Sequence, residues 1–429
     1  MMSSILLLVV AGLLLAGCSK DRPGETEYAV VIYGTAGGEM DEVIEDVWKE
    51  VQEVLPGKRV RVLCRYKYGK GGETFTGKWG DPGEVISFEL TADTSLEGLR
   101  ARGVQNSGYA LYSPESLAEM LAWAKREASP TRGYVLILYG HGGGFDPSVD
   151  YPKEEAVRSV LYDEWFEGRT GMNMYEVAQA VEQSGIGHLS GLLFHDCLMG
   201  NLESLVEVAS CADYLIATPF LLSSENTPLM PYLIKNLSGN SFEAAARQTV
   251  RESKDRLADG LAREDPAHLP GNIALLKSSE LAGICDAAKT LATRLCQLYP
   301  LQRNAIDRAT CKAYRFYNGD PFFDLLDYAR ILADETKDAE LGVIALALSV
   351  AFDRAILAQE VVGFGIWPEM ELYSLSVVLV DKETYNSSPA GFSYRQSYEY
   401  SAFHRLTGWG SWLDTNLQQP TGNPCGQVL

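Results

Sequence analysis

Seven consecutive residues, Tyr134-Val-Leu-Ile-Leu-Tyr-Gly140, carry neither a charge nor any polar–apolar alternation. A strand with one face in water alternates, so an unbroken apolar run that stops at a glycine reads as a strand covered on both faces. Such strands belong to mainly parallel sheets, whose neighbours are joined by crossovers that are usually helices. The flanking sequence follows that grammar. Tyr28 to Gly34 and Arg59 to Tyr68 read as strands around a helix at Met40 to Val54, marked by Val43, Val47, Val51 and Val54. Gly69 to Gly83 is a hairpin or surface loop before a strand at Glu84 to Leu90. Ser113 as N-cap and Pro114 at the first helical position open a helix through Ala124. Helices at Asn173 to Gln183 and Leu198 to Ala209 then alternate with strands at Leu192 to Phe194 and Tyr214 to Thr218. The expected fold class is α/β, a mainly parallel sheet with helices on both faces and reactive groups at the carboxyl ends of its strands.

From about Ser241 the pattern changes to long helices, at Phe242 to Leu261, Leu281 to Leu298, Phe323 to Ala333 and Ala339 to Ala358, with strands near Asn272 to Leu276, Gly363 to Trp367 and Leu375 to Asp381. The chain therefore divides into an α/β domain over 28–238 and a helix-rich C-terminal region over 239–429 that contributes strands. At the N-terminus an apolar run from Ile5 to Leu15 meets Leu15-Ala16-Gly17-Cys18, a small-residue cleavage site directly before a cysteine. It looks like a bacterial lipoprotein signal: 1–17 is removed, Cys18 is lipidated and ties the protein to a membrane, and 18–27 is a tether. By that resemblance to known lipoproteins, Ser19 in place of an acidic residue points to the outer membrane or cell surface. A formal net charge of -20 with no cluster of Lys and Arg excludes a nucleic-acid partner. Eight cysteines leave an odd seven after Cys18, none in a close Cys-x-x-Cys pair, so a disulfide framework or zinc ribbon is not expected and at least one thiol stays free.

Two strands end in reactive side chains. The run ending at Gly140 delivers His141 followed by Gly142-Gly143-Gly144, and Leu192-Leu-Phe-His-Asp196 delivers Cys197. A cysteine nucleophile acts as its thiolate, and at an ordinary pKa of about 8.5 it needs a base or a helix N-terminus beside it. His141 is the candidate base, and a helix beginning at Leu198 would aim its unpaired N–H groups at the sulfur. Gly142 lets the backbone approach a substrate carbonyl, so its N–H with that of Cys197 would form an oxyanion hole. His188, His268 and His404 lack ligand spacing and the carboxylates are scattered, so no catalytic metal is predicted. Trp409 and Trp412 sit with Leu406 and Leu413 at helical spacings and read as core.

An apolar block ending in His-Gly and a second ending in Cys is the pattern shared by caspases, legumains and gingipains. Within that group the chain resembles the clostripain family, through YVLILYGHGGGF (134–145), Leu161-Tyr-Asp-Glu164, Asp196-Cys-Leu-Met-Gly200, Phe323-Asp-Leu-Leu-Asp-Tyr328, Gly363-Phe-Gly-Ile-Trp-Pro368 and Thr407-Gly-Trp-Gly-Ser-Trp412. The resemblance implies a caspase-like three-layer sandwich with an extra C-terminal region. It also implies a cysteine endopeptidase acting on peptides or proteins, with Cys197 as nucleophile and His141 as general base and acid. Relatives carry an acidic residue two places before the cysteine, where it helps hold Arg or Lys before the cut. Here that position is His195, and the acid, Asp196, is one place later, on the opposite side of an alternating strand. Glu225 could restore the charge from a loop, whereas His195 either favours an acidic or polar substrate residue or is a strand-end histidine. The resemblance further implies self-cleavage in the loop after His141, with Lys153 as the cut position, and leaves calcium as the cofactor some relatives bind. A catalytically inactive relative, a surface lipoprotein that binds peptides or glycans, is the alternative.

Overall fold

The structure is a computed structural model, and it describes residues 25–35, 37, 40–73, 75–145, 160–166, 171–222, 229–264, 271–316, 321–362, 375–387 and 393–416. Its centre is a nine-stranded sheet in the order β10-β8-β7-β6-β5-β1-β2-β3-β4. The strands are β1 Tyr28–Thr35, β2 Val60–Lys67, β3 Glu84–Leu90, β4 Val104–Gln105, β5 Gly133–Gly140, β6 Gly191–His195, β7 Tyr214–Ala217, β8 Gly271–Lys277 and β10 Ile356–Val362. β2, β1, β5, β6 and β7 run parallel, and both flanks close with antiparallel strands. The unbroken apolar runs follow from burial on two sides. Val31, Tyr33, Leu136, Leu138, Leu192 and Phe194 point into one core, while Val30, Ile32, Val135, Ile137, Tyr139 and Leu193 point into the other. Helices Pro114–Glu127, Met174–Gln183 and Leu202–Val208 cover the first face, and Met40–Val54 and Leu229–Leu237 the second.

The C-terminal region is not a separate layer. β8 pairs antiparallel with β7, and β10 with β8, so the region completes one edge of the main sheet. The helix expected over Ala339 to Ala358 ends at Ala355, and Ile356 to Val362 pairs with β8 instead. β-Branched residues and an open sheet edge win there over helical spacing. The strand expected at Gly363 to Trp367 lies outside the described residues. A second, two-stranded sheet joins β9 (Phe322–Asp324) to β11 (Ser376–Val378). The helix expected from Phe323 therefore starts at Leu325, with the buried Asp324 as its N-cap accepting from the N–H groups of Leu326 and Asp327. Trp409 and Trp412 are fully buried, and the Trp409 indole N–H donates to the Val378 carbonyl at 2.9 Å. Cys64, Cys197, Cys211, Cys285 and Cys296 are free thiols, whereas Cys311 is disulfide-bonded. Among the described residues no helix is long and apolar enough to cross a membrane.

At the carboxyl end of β2 the side chain of Lys67 is wholly buried with that of Asp163, at 2.7 Å. Its ammonium also donates to the carbonyls of Ser107 (2.7 Å) and Tyr109 (2.9 Å) and sits 4.6 Å from the centre of the Phe166 ring. Burial pushes the ammonium down and the carboxyl up, and each partner opposes the other's shift. Replacing one partner leaves the other charge buried alone, at a cost of about 3–5 kcal/mol. Thermal or urea unfolding of Lys67→Met should show that loss, while Lys67→Met with Asp163→Leu should recover most of it.

Candidate active site

β5 and β6 run parallel with Tyr139 opposite His195. His141 and Cys197 each lie two residues beyond that registered pair, so the sheet delivers them level with one another at its carboxyl edge. His141 is exposed where the chain leaves the sheet. Gly142 then lies flat against the backbone of the cysteine: a Cβ added there would stand 2.2 Å from the Cys197 carbonyl oxygen and 3.1 Å from its nitrogen. Only glycine fits that approach. Among the described residues, no oxygen accepts from the N–H of Gly142 or of Cys197 in a backbone hydrogen bond.

The sulfur is held from the other side. Cys197 Sγ accepts from the Leu222 N–H at 3.2 Å, with the Leu222 carbonyl 3.8 Å away. The Leu198 N–H donates to Phe220 (2.9 Å) and the Gly200 N–H to Thr218 (2.7 Å), so the cysteine segment is stitched to the chain leaving β7. Leu198 adopts the left-handed region to make that path, at φ 59°. The helix expected to begin at Leu198 begins at Leu202, capped by the Asn201 side chain on the Ser204 N–H. This corrects the idea that a helix N-terminus activates the thiol. Burial pushes the Cys197 thiol above its usual value; the Leu222 N–H works against that rise and the Asp196 carboxyl beside it adds to it.

His195 and Asp196 are enclosed, 2% and 1% exposed. The His195 ring meets Tyr139 edge-on with centroids 5.4 Å apart, and neither ring nitrogen makes a hydrogen bond. Burial lowers its pKa to about 4, so the ring is neutral at pH 7. Neither Asp196 carboxyl oxygen is hydrogen-bonded, and burial pushes that group well above the usual carboxylate range. Lys153, Glu225 and Cys18 lie outside the described residues. No group of three or more His, Cys, Asp or Glu among the described residues is arranged to hold a metal ion.

Two supports of the site were not among the residues expected from the sequence. Leu222 acts only through its backbone. Glu203, buried on the helix after the cysteine, accepts from the Tyr398 hydroxyl (2.6 Å) and the Val378 N–H (2.9 Å), and burial lifts its pKa to about 7. The Ser376 N–H donates to the Gly200 carbonyl at 2.9 Å, and the Phe145 ring meets that of Tyr398 at 4.9 Å. The C-terminal region thus braces both the His141 loop and the Cys197 loop. An acid between Leu202 and the apolar pair Leu205-Val206 was the clue available for Glu203.

Residues 105–348, more than half of the 429-residue chain, match the sequence model of the clostripain family. The chain belongs to the clostripain family. It is accordingly a cysteine-type peptidase, and its sheet and helices form the caspase-like sandwich of that group. A secreted C11 cysteine protease from Bacteroides thetaiotaomicron superposes with a TM-score of 0.61 at 15% identity, over 89% of this chain and 99% of its own. A secreted C11 protease of the same organism in complex with an irreversible peptide inhibitor gives 0.62 at 13% identity, over 90% and 99%. An inactive zymogen C11 protease from Parabacteroides distasonis gives 0.59 at 16%, over 89% and 97%. At these identities the likeness is one of fold. No curated protein matches the chain.

A raised thiol pKa means less thiolate at any given pH. In a Cys296→Ser background, alkylation of Cys197 by iodoacetamide should therefore run slower at pH 7 than that of a free thiol, which is a few per cent ionised there, and should still be rising above pH 9. A plateau below pH 8 would show a pre-formed thiolate instead.

Proposed function

We propose that this clostripain-family peptidase cleaves internal peptide bonds through His141 and Cys197. The observation that supports it most is the seating of Gly142 against the Cys197 backbone, which brings the residue after His141 into contact with the nucleophile. His141 takes the thiol proton, and the thiolate attacks the scissile carbonyl carbon. The oxyanion that forms accepts from the N–H groups of Gly142 and Cys197. The C–N bond breaks as His141 returns the proton to the leaving amine, which leaves a thioester on Cys197. Water, deprotonated by His141, then releases the carboxylic acid and restores the thiol.

The elevated Cys197 thiol and its contact with Leu222 favour a resting form of low activity, raised by self-cleavage after Lys153. Export as a lipoprotein anchored through Cys18, with peptides or proteins as substrates, completes the reading; the comparison proteins described as secreted agree with export. The residue before the cut is set by different groups from those of the family pattern. His195 is neutral and buried, so it lends no charge, and cleavage after Arg or Lys depends on Glu225.

A positional peptide library distinguishes these points. Cys197→Ala and His141→Ala should each abolish turnover and should both remain uncut after prolonged incubation, whereas the parent chain is cut after Lys153. Glu225→Gln should lower kcat/KM on Arg and Lys substrates by about 10–100-fold, the worth of one charged hydrogen bond, and leave uncharged substrates unchanged. Turnover that survives Cys197→Ala would overturn the assignment, and specific peptide capture without turnover in every form would replace it with the binding-protein reading.

A further inference from the structure

The helix Ala339–Ala355 packs Leu341, Ile344, Ala345, Leu348, Phe352 and Ala355 into the core. Its outer face is also apolar. Val343 is 68% exposed, Leu346 66% and Val350 44%, spaced so that they form one stripe over two turns. Beside the stripe, a groove of about 330 Å³ runs between this helix and Leu281–Lys312, floored by Gly283, Ala287, Ala347 and Ala351. Monomeric proteins rarely leave a contiguous apolar face of this kind uncovered.

We propose that this face binds a second copy of the same chain, helix against helix and antiparallel about Ala347. The pattern along the seam carries the choice of partner. Glu340, Ala347 and Arg354 are seven residues apart, with Val343 and Val350 three residues after the first two, which is the spacing of a helix-pairing seam. With a two-fold axis at Ala347, Glu340 of one copy comes level with Arg354 of the other at both ends. Each lies seven residues, or about 10.5 Å of helix, from the axis. A parallel arrangement would set Glu340 on Glu340 and Arg354 on Arg354, so the charges select the antiparallel one. The small Ala347 at the crossing and the Gly283 and Ala287 floor let the backbones come close. Glu340 also meets Arg294 at 3.1 Å but stays 55% exposed, which leaves its carboxylate open to a second cation. The surface is self-complementary, as a two-fold interface requires. A lipid surface fits less well, because Glu280, Asp286, Glu340 and Asp353 border the stripe and an anionic bilayer would repel them.

Sedimentation velocity of the full chain over a wide concentration range tests this, with lipid vesicles as a separate arm. The parent protein should shift to twice the monomer mass. Leu346→Lys should raise the dissociation constant at least about tenfold without changing the melting temperature or the rate of peptide cleavage. Glu340→Arg and Arg354→Glu should each weaken the dimer, and the two together should restore it. A parent chain that is monomeric throughout, a charge pair that shows no restoration, or flotation with neutral vesicles that Leu346→Lys abolishes in the absence of any dimer would overturn the proposal.

Discussion

The contact between Gly142 and the backbone of Cys197 is the constraint on which the site depends. It exists because β5 and β6 are parallel neighbours in register, Tyr139 opposite His195, and because nothing larger than hydrogen stands on residue 142. Slip the register by one residue and every side chain of β6 changes face, so Phe194 would leave its core and the cysteine would leave the histidine loop. The two hydrophobic layers therefore do more than stabilise the sheet. By fixing which way Leu192, Leu193 and Phe194 point, they fix where the strand ends and what it delivers.

Around that contact the protein places polar groups in surroundings that disfavour their charge. Lys67 and Asp163 are buried as a pair, Glu203 shares one oxygen between two donors, and His195 and Asp196 are enclosed without hydrogen bonds. Each costs stability unless it is neutral or well matched. Lys67 anchors 160–166 to the end of β2, and Glu203 fastens β11 and the Tyr394–Tyr400 helix to the segment that follows Cys197. The C-terminal region thus completes the edge of the main sheet and contacts the segments that carry His141 and Cys197.

Much of this was legible from the chain alone. Uninterrupted apolar runs marked β1, β5 and β6 because strands buried on both faces leave no room for polar residues, and Ser113-Pro114 marked a helix start because its cap chemistry is local. His141, Gly142 and Cys197 were legible as side-chain types at strand ends. What was not legible depends on contacts distant in sequence. The helix after Cys197 starts four residues later than periodicity suggested, since backbone bonds from Leu198 and Gly200 to the β7 exit hold 198–200 out of helical geometry, with Leu198 left-handed. Leu222 reaches the sulfur with an amide N–H that any residue but proline would carry. Ile356 to Val362 became an edge strand because β8 offered it unpaired carbonyl and N–H groups, a tertiary fact that its β-branched residues alone do not announce.

The most direct measurement of the central claim is to treat the chain with a peptidyl chloromethyl ketone and locate the adduct by mass spectrometry. If Gly142 and His141 together make Cys197 reactive toward a bound peptide, a single adduct forms on Cys197, the partly exposed Cys296 stays unlabelled, and Gly142→Ala or His141→Ala removes the label while the protein remains folded. Labelling of Cys197 at an undiminished rate in Gly142→Ala, or an adduct confined to another thiol, would contradict the account.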